Sequence, residues 1–252
     1  MISVITCCLN PTHHSIQELN IAKTIGTEHE YIVVDGSQDP PRYAAGYNGA
    51  AAGARGDILV FIDHDCYCMN VNWGAALEAK FAADPALGVA GVAGTQYLFA
   101  DKYSWTAAGR PFVKGRIVYH LQNDDFFATV FSAEKGDAEV VACDGCFMAI
   151  QGDLFAKFGF DETTFIGAHF FDIDFCLQAR SAARVIVTSD VTVKRRTQPV
   201  FGAHWREAGE AFLRKNKHLL PASCAPAAPD PAHIKPSAVI DLKDKATKTT
   251  IC

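Results

Sequence analysis

The stretch Asp57-Ile-Leu-Val-Phe-Ile-Asp-His-Asp-Cys66 limits the folds open to this chain more than any other. Residues Ile58 to Ile62 are all apolar and rich in β-branched and aromatic types. That pattern predicts a strand covered on both faces, as in the interior of a parallel sheet. The run stops abruptly at Asp63-His64-Asp65. Side chains alternate along an extended chain, which predicts Asp63 and Asp65 on one side and His64 on the other. Two carboxylates at the end of a buried strand are costly unless something positive sits between them. A hard divalent cation shared with a phosphate meets that need. A solvated turn, with both carboxylates in water, meets it too.

The segments around this strand give it a context. Ile2 to Thr6 reads as a strand, followed by a turn at Asn10 to Ser15. A helix is predicted next, with Ile16, Leu19 and Ala22 on its apolar face. Glu30 to Val34 is a second strand, closed by the turn residues Asp35-Gly36-Ser37-Gln38-Asp39-Pro40-Pro41. Tyr43 to Arg55 is helix-like and stops at Gly56. The order β-α-β-α-β with short connections predicts a right-handed, mostly parallel wound sheet. Ligands in such sheets lie beyond the carboxyl ends of the strands. Thr6 to Asn10, Asp35 to Ser37 and Asp63 to Asp65 all fall there.

Farther on, a helix is predicted at Asn72 to Ala83 and a strand at Gly88 to Ala93. The aromatic-rich stretch from Gln96 to Asp137 reads as antiparallel strands or long loops, its rings forming core or a sugar platform. A strand at Glu139 to Cys143, helices at Asp153 to Phe158, Phe171 to Arg184 and His204 to His218, and short strands at Val185 to Val187 and Val191 to Val193 complete the pattern. The expected organisation is one domain over 1–218, split into halves 1–95 and 96–218. Residues 219–252 carry Pro221, Pro226, Pro229, Pro231 and Pro236 and read as an extended or disordered arm.

Composition excludes several classes. With 252 residues, 49% hydrophobic and 20% charged, the chain has the make-up of a globular α/β protein. A net charge of −5 gives no sign of a nucleic-acid-binding surface. No run reaches the ~18 apolar residues of a membrane span, and no signal peptide is evident. Nine cysteines without export signals are expected as free thiols of a cytoplasmic protein. Cys66-x-Cys68 and Cys143-x-x-Cys146 together have zinc-site spacing, but each pair falls in a stretch with another assignment.

Taken in order, these stretches resemble the inverting family 2 glycosyltransferases of the GT-A fold. The resemblance runs through Ser3-Val-Ile-Thr6 with Asn10, Val33-Val34-Asp35-Gly36-Ser37, Asn48-Gly49, Ala54-Arg55-Gly56 and Phe61-Ile62-Asp63-His64-Asp65. It continues through Asp144-Gly145-Cys146-Phe147, Gly159-Phe160-Asp161-Glu162 and His169-Phe-Phe-Asp172-Ile-Asp174. No single match is specific; the ordered combination is.

The resemblance implies a GT-A-like α/β fold and transfer from a UDP-sugar, with Mn²⁺ or Mg²⁺, to a hydroxyl of a carbohydrate or glycolipid acceptor. A glycolipid acceptor would put the protein at the inner face of a membrane. Thr6, Cys7, Cys8, Asn10, Asp35, Ser37, Asn48, Arg55, Asp63, His64, Asp65 and Arg195 are then the candidate donor-binding residues. Asp65 is the leading metal ligand, Asp63 a second or water-mediated one, and His204 a late third. His64 is expected to face away as a spacer. Asp172, at a helix start whose dipole favours the ionised form, is the candidate base. Asp35 reads equally as an Asx-turn residue, and Asp174 as a capping carboxylate.

The chain departs from the family where Cys7-Cys8-Leu9 replaces Pro-x-Tyr before the asparagine. It departs again at Val193-Lys194-Arg195-Arg196, whose basic residues can neutralise a diphosphate directly. A nucleotidyltransferase, a non-catalytic nucleotide-sugar-binding protein and a metal-dependent phosphohydrolase are the competing readings.

Overall fold

The computed structural model describes residues 1–8, 11–37, 41–132 and 135–243, with backbone only for residues 11–13. Asn10 lies outside the described residues. The first part alternates as β1 (Ile2–Cys8), α1 (Pro11–Thr24), β2 (His29–Asp35), α2 (Tyr43–Gly53), β3 (Ile58–Asp63), β4 (Cys66–Cys68), α3 (Trp73–Ala83) and β5 (Leu87–Gly91). Seven more strands follow: β6 (Ala93–Thr95), β7 (Tyr97–Leu98), β8 (Val113–His120), β9 (Phe126–Val130), β10 (Ala138–Glu139), β11 (Ala142–Cys143) and β12 (Phe147–Gln151). The rest comprises α4 (Gly152–Phe158), α5 (Phe171–Ala179), β13 (Arg184–Val187), β14 (Val193–Arg195), α6 (Ala203–Lys215), β15 (Ala222–Ser223) and β16 (Ala238–Asp241).

The central sheet has the order β10-β13-β5-β12-β3-β1-β2. β1 runs parallel to β2 and β3, and β13 runs parallel to β5. The sheet is mixed, because β12 runs antiparallel to both β3 and β5. This strand escaped the sequence reading: Phe147 to Gln151 is short, sits between motif residues, and its direction has no local signature. The register sets Cys7 opposite Asp63 and Cys8 opposite Asp35, so the carboxyl ends of β1, β2 and β3 are level.

β3 is covered on both faces, as its composition predicts. Leu59 and Phe61 join one core cluster with Tyr47, Phe155 and Phe160; Val60 and Ile62 join another with Trp73 and Phe147. Each such side chain contributes roughly 1.5–3 kcal/mol by leaving water. On the first face, ring centroids run from Phe61 to Phe160 at 5.0 Å and from Phe160 to Phe171 at 4.9 Å. That chain of rings packs the start of α5 against β3.

α1 turns a different face inward than expected. Ile16 and Leu19 are exposed, while Gln17, Ile21 and Ile25 are buried. The reason is polar. The Gln17 amide donates to the carbonyls of Asp63 and Cys66 at 2.6 and 2.7 Å, and Asn20 bonds both backbone groups of Cys68. α1 thus fixes the turn that carries Asp63-His64-Asp65.

A second sheet, β11-β6-β8-β14-β4, leads from that turn, with β9 on β8 and β16 on β9. The aromatic-rich stretch supplies its antiparallel β8 and β9. The arm after residue 218 is extended and paired where described: β15 binds β7 and β16 binds β9.

Candidate active site

A cavity of about 430 Å³ opens at the carboxyl end of β3. Its walls include Asp63, Asp144, Asp172, Arg195 and His169, with Tyr43, Trp105, Tyr119 and Trp205 among the rings. A larger hollow of about 920 Å³ lies at the amino end, around Met1, Asp57 and Gln151. The first is where wound sheets hold ligands.

Asp63 ends β3 on the side of Phe61. After it the chain turns, so simple alternation does not place Asp65. One guanidinium nevertheless reaches both: Arg195 Nη2 is 2.8 Å from Asp63 Oδ2, and Nε is 3.4 Å from Asp65 Oδ2. Burial pushes the Asp63 carboxyl above the ordinary range, against the pull of Arg195. Asp65 is 1% exposed. Its Oδ2 also accepts from the Thr197 amide at 3.0 Å and from the Thr197 hydroxyl, and its Oδ1 from the Cys66 thiol at 3.8 Å.

An oxygen of each aspartate and Cys66 Sγ lie within 4.8 Å of one another. A cation ligated there does not fit the arrangement. Both Asp65 oxygens already accept hydrogen bonds, and the positive charge between the carboxylates is Arg195. His204, expected as a third ligand, is 92% exposed with Nδ1 3.4 Å from Glu207, and it is not part of that cluster. A histidine at the start of an amphipathic helix faces water unless the fold calls it in.

Asp172 lies in the first turn of α5. Phe170, the residue before the helix, has φ 69, a left-handed conformation rare for a bulky side chain. It is held there by packing on Phe212, Trp205 and Tyr103. This bend puts both His169 and Asp172 on the cavity wall. The Gly145 amide donates to Asp172 Oδ2 at 2.7 Å. A Cβ at residue 145 would lie 2.8 Å from that oxygen, so the close approach requires glycine. Burial, followed by the nearby Asp144 charge, pushes the Asp172 carboxyl up to about 7. Asp174 points elsewhere, bonding Lys215 at 2.7 Å and Asn216 at 2.8 Å. Residues two apart on a helix face nearly opposite ways.

The other candidates sort by strand end. Asp35 Oδ1 accepts from the Ser37 amide at 2.9 Å, the Asx turn that was the alternative for it. Both residues are exposed at the rim of β2. Thr6 and Cys7 are buried; the Thr6 hydroxyl donates to Ile62 O at 2.9 Å and Cys7 joins the core, so neither is on the cavity wall. Cys8 is buried at the end of β1, and His64 is half-buried in the turn; neither is on the cavity wall.

Asn48 and Arg55 are not brought to this cavity. Asn48 clasps the 159–162 turn, bonding the amide and carbonyl of Phe160 at 2.9 Å each and Glu162 at 2.8 Å. Arg55 precedes β3, at the sheet's opposite end, and its Nε pairs with Glu30 at 2.8 Å. Sequence proximity to a motif does not reveal which end of a strand a residue occupies.

Asp144, His169 and Trp105 join the site without having been singled out. Asp144 accepts from Trp105 Nε1 at 3.2 Å and from the Cys146 amide at 3.0 Å. The signal for Asp144 and His169 was position within the Asp144-Gly145 and His169-to-Asp172 segments, and for Trp105 the aromatic-rich stretch. Burial, with Arg195 nearby, lowers the His169 pKa. Among the described residues no four-thiolate cluster forms; Cys66, Cys68, Cys143 and Cys146 are buried free thiols.

Solved structures share this architecture. TarS 1–349 of S. aureus in complex with UDP aligns with TM-score 0.56 at 16% identity, over 87% of this chain and 66% of that one. GalNAc-T7 with UDP, GalNAc and Mn²⁺ aligns with TM-score 0.55 at 11% identity, over 81% and 45%. The mannosyltransferase PcManGT from Pyrobaculum calidifontis, in complex with GDP-Man and Mn²⁺, gives 0.50 at 15% identity, over 78% and 57%. This chain therefore spans about half to two thirds of their lengths, and the likeness establishes a GT-A α/β fold. No curated protein matches in sequence. The profile of the glycosyltransferase-like family, however, matches residues 3–211, nearly all of the sheet and every wall of the cavity. The chain belongs to that glycosyltransferase-like family.

Proposed function

We propose that this protein transfers a sugar from a UDP-sugar to an acceptor hydroxyl, with inversion and with Asp172 as the base. One observation carries the reading: Asp172 and Arg195 line one cavity at the carboxyl end of β3. A leaving diphosphate needs positive charge, and an attacking hydroxyl needs a proton acceptor. Arg195 offers the first and Asp172 the second.

In the proposed reaction the acceptor oxygen attacks the anomeric carbon opposite the diphosphate. Its proton passes to Asp172 as the glycosidic bond breaks. The Gly145 amide keeps the carboxylate aimed and favours its ionised form. Asp35, at the rim, would accept from the uracil ring, and backbone of Thr6 to Cys8 would meet the base. The exposed rings of the entrance, with Phe201 61% exposed and in contact with Trp205, suit a carbohydrate or glycolipid acceptor. The UDP and Mn²⁺ bound by a solved neighbour support a nucleotide-sugar donor.

Calorimetric titration with UDP, GDP and ADP, each with and without Mn²⁺, tests the donor. Binding is expected with UDP preferred; no binding of any of them overturns the reading. Asp172→Asn separates transferase from binder. It should lower turnover by roughly 10²–10⁴-fold with nucleotide affinity little changed. Turnover that survives the substitution removes Asp172 from the role.

A further inference from the structure

Building on the donor reading above, we propose that Arg195 is the cation that receives the donor's diphosphate, so that the protein binds nucleotide without a divalent metal. The position of Arg195 is set by backbone and not by a mobile side chain alone. β14 pairs antiparallel with β4, which puts Arg195 opposite Cys66, and the Arg196 amide donates to Asp65 O at 3.1 Å. The guanidinium is delivered beside the two aspartates by strand register.

Its surroundings suit that task and do not suit a metal. Asp63 takes Nη2 at 2.8 Å and Asp65 takes Nε at 3.4 Å. Those two contacts use part of a fork that carries five N–H donors, and the side chain lines the cavity. The remaining donors can pair with phosphate oxygens in the bidentate way guanidinium favours. Asp65 Oδ2 is already taken by Thr197 and Arg195, and a hard cation at ~2.0–2.6 Å from the two aspartates would sit against the like charge of the guanidinium. Two carboxylates and one guanidinium sum to a formal −1. The diphosphate is therefore met by directed N–H groups and not by an excess of positive charge.

The test is titration of the full chain with UDP, GDP and ADP in EDTA and again in Mn²⁺. Binding in EDTA, changed by no more than about twofold on adding Mn²⁺, is the expected result. Binding that appears only with Mn²⁺ overturns this inference and leaves the donor reading standing. No binding in either condition defeats the donor reading and this inference with it. Arg195→Gln, checked for folding by thermal melting, should lose about tenfold or more of the affinity in EDTA. It should also take up Mn²⁺, seen as loss of the free-ion electron paramagnetic resonance signal, because the carboxylates are released. Arg195→Lys keeps the charge but not the fork, and should bind nucleotide between the other two. Wild-type affinity in folded Arg195→Gln overturns the assignment.

Discussion

Asp172 carries opposite pH signatures in activity and stability. Its carboxyl is raised to about 7 in the folded protein. A base works ionised, so transfer should climb between pH 5 and 8 with its midpoint near that value. Stability runs the other way. The folded state holds this proton more tightly than the unfolded chain, whose carboxylate titrates at ~3.9. The resulting stability is full below that pH and is lost as pH rises through about 7. Part of the elevation comes from Asp144. Asp144→Asn should therefore move the rising limb of the rate profile to lower pH. A profile unmoved by that change would show that burial alone sets the base. Gly145→Ala forces a carbon to 2.8 Å from Asp172 Oδ2 and should lower turnover more than nucleotide binding. The Asp63-His64-Asp65 motif was legible as a charged strand end. Its counter-ion was not, because Arg195 is 130 residues from Asp65 in sequence.

At the scale of elements, α1 and α5 are held by polar contacts that apolar periodicity conceals. Gln17 is buried and bonds two carbonyls of the 63–66 turn, with Tyr31 donating to its side-chain oxygen at 2.8 Å. Gln17→Leu leaves these groups unpaired and should cost about 1–3 kcal/mol in chemical denaturation. It should also weaken nucleotide binding, since the turn carries Asp63. A change in neither would mean that water replaces the amide without loss. α5 is tied to α6 through Asp174, 2% exposed, with Lys215 and Asn216. Asp174→Ala leaves Lys215 with Asp161 alone, at 2.8 Å, and takes the acceptor from the buried Asn216 amide, and is expected to cost about 1–3 kcal/mol. Its effect should be on melting temperature, not on the pH midpoint of the rate. The expected apolar face of α1, Ile16 and Leu19, failed because polar residues had claims on buried carbonyls that no helical period expresses.

Across the whole molecule, two sheets meet at the Asp63-to-Cys66 turn, and the arm after residue 218 closes over the second. The Arg110 amide donates to Lys235 O at 2.8 Å, and the Cys224 amide to Gln96 O at 3.1 Å. β16 covers the edge of β9. A chain ended at residue 218 should therefore melt at a lower temperature and associate through the bared edge of β9. Light scattering and differential scanning fluorimetry would read both effects. An unchanged melt would make the arm an ornament of the fold. No helix among the described residues is long and apolar enough to cross a membrane.

Sequence alone determined the local features: the strand buried on both faces, the β-α-β-α-β opening, the carboxylates at its ends and the ordered family segments. Each depends on a few neighbouring residues, through side-chain alternation, apolar runs and turn chemistry. Tertiary structure decided the rest. It chose the antiparallel course of β12, sent Asn48 and Arg55 away from the cavity, and left His204 in water. Above all it set Arg195 between Asp63 and Asp65. The motif began as two carboxylates requiring a positive charge, and the requirement was local. Which charge meets it depends on strand register between distant segments, and packing alone fixes that.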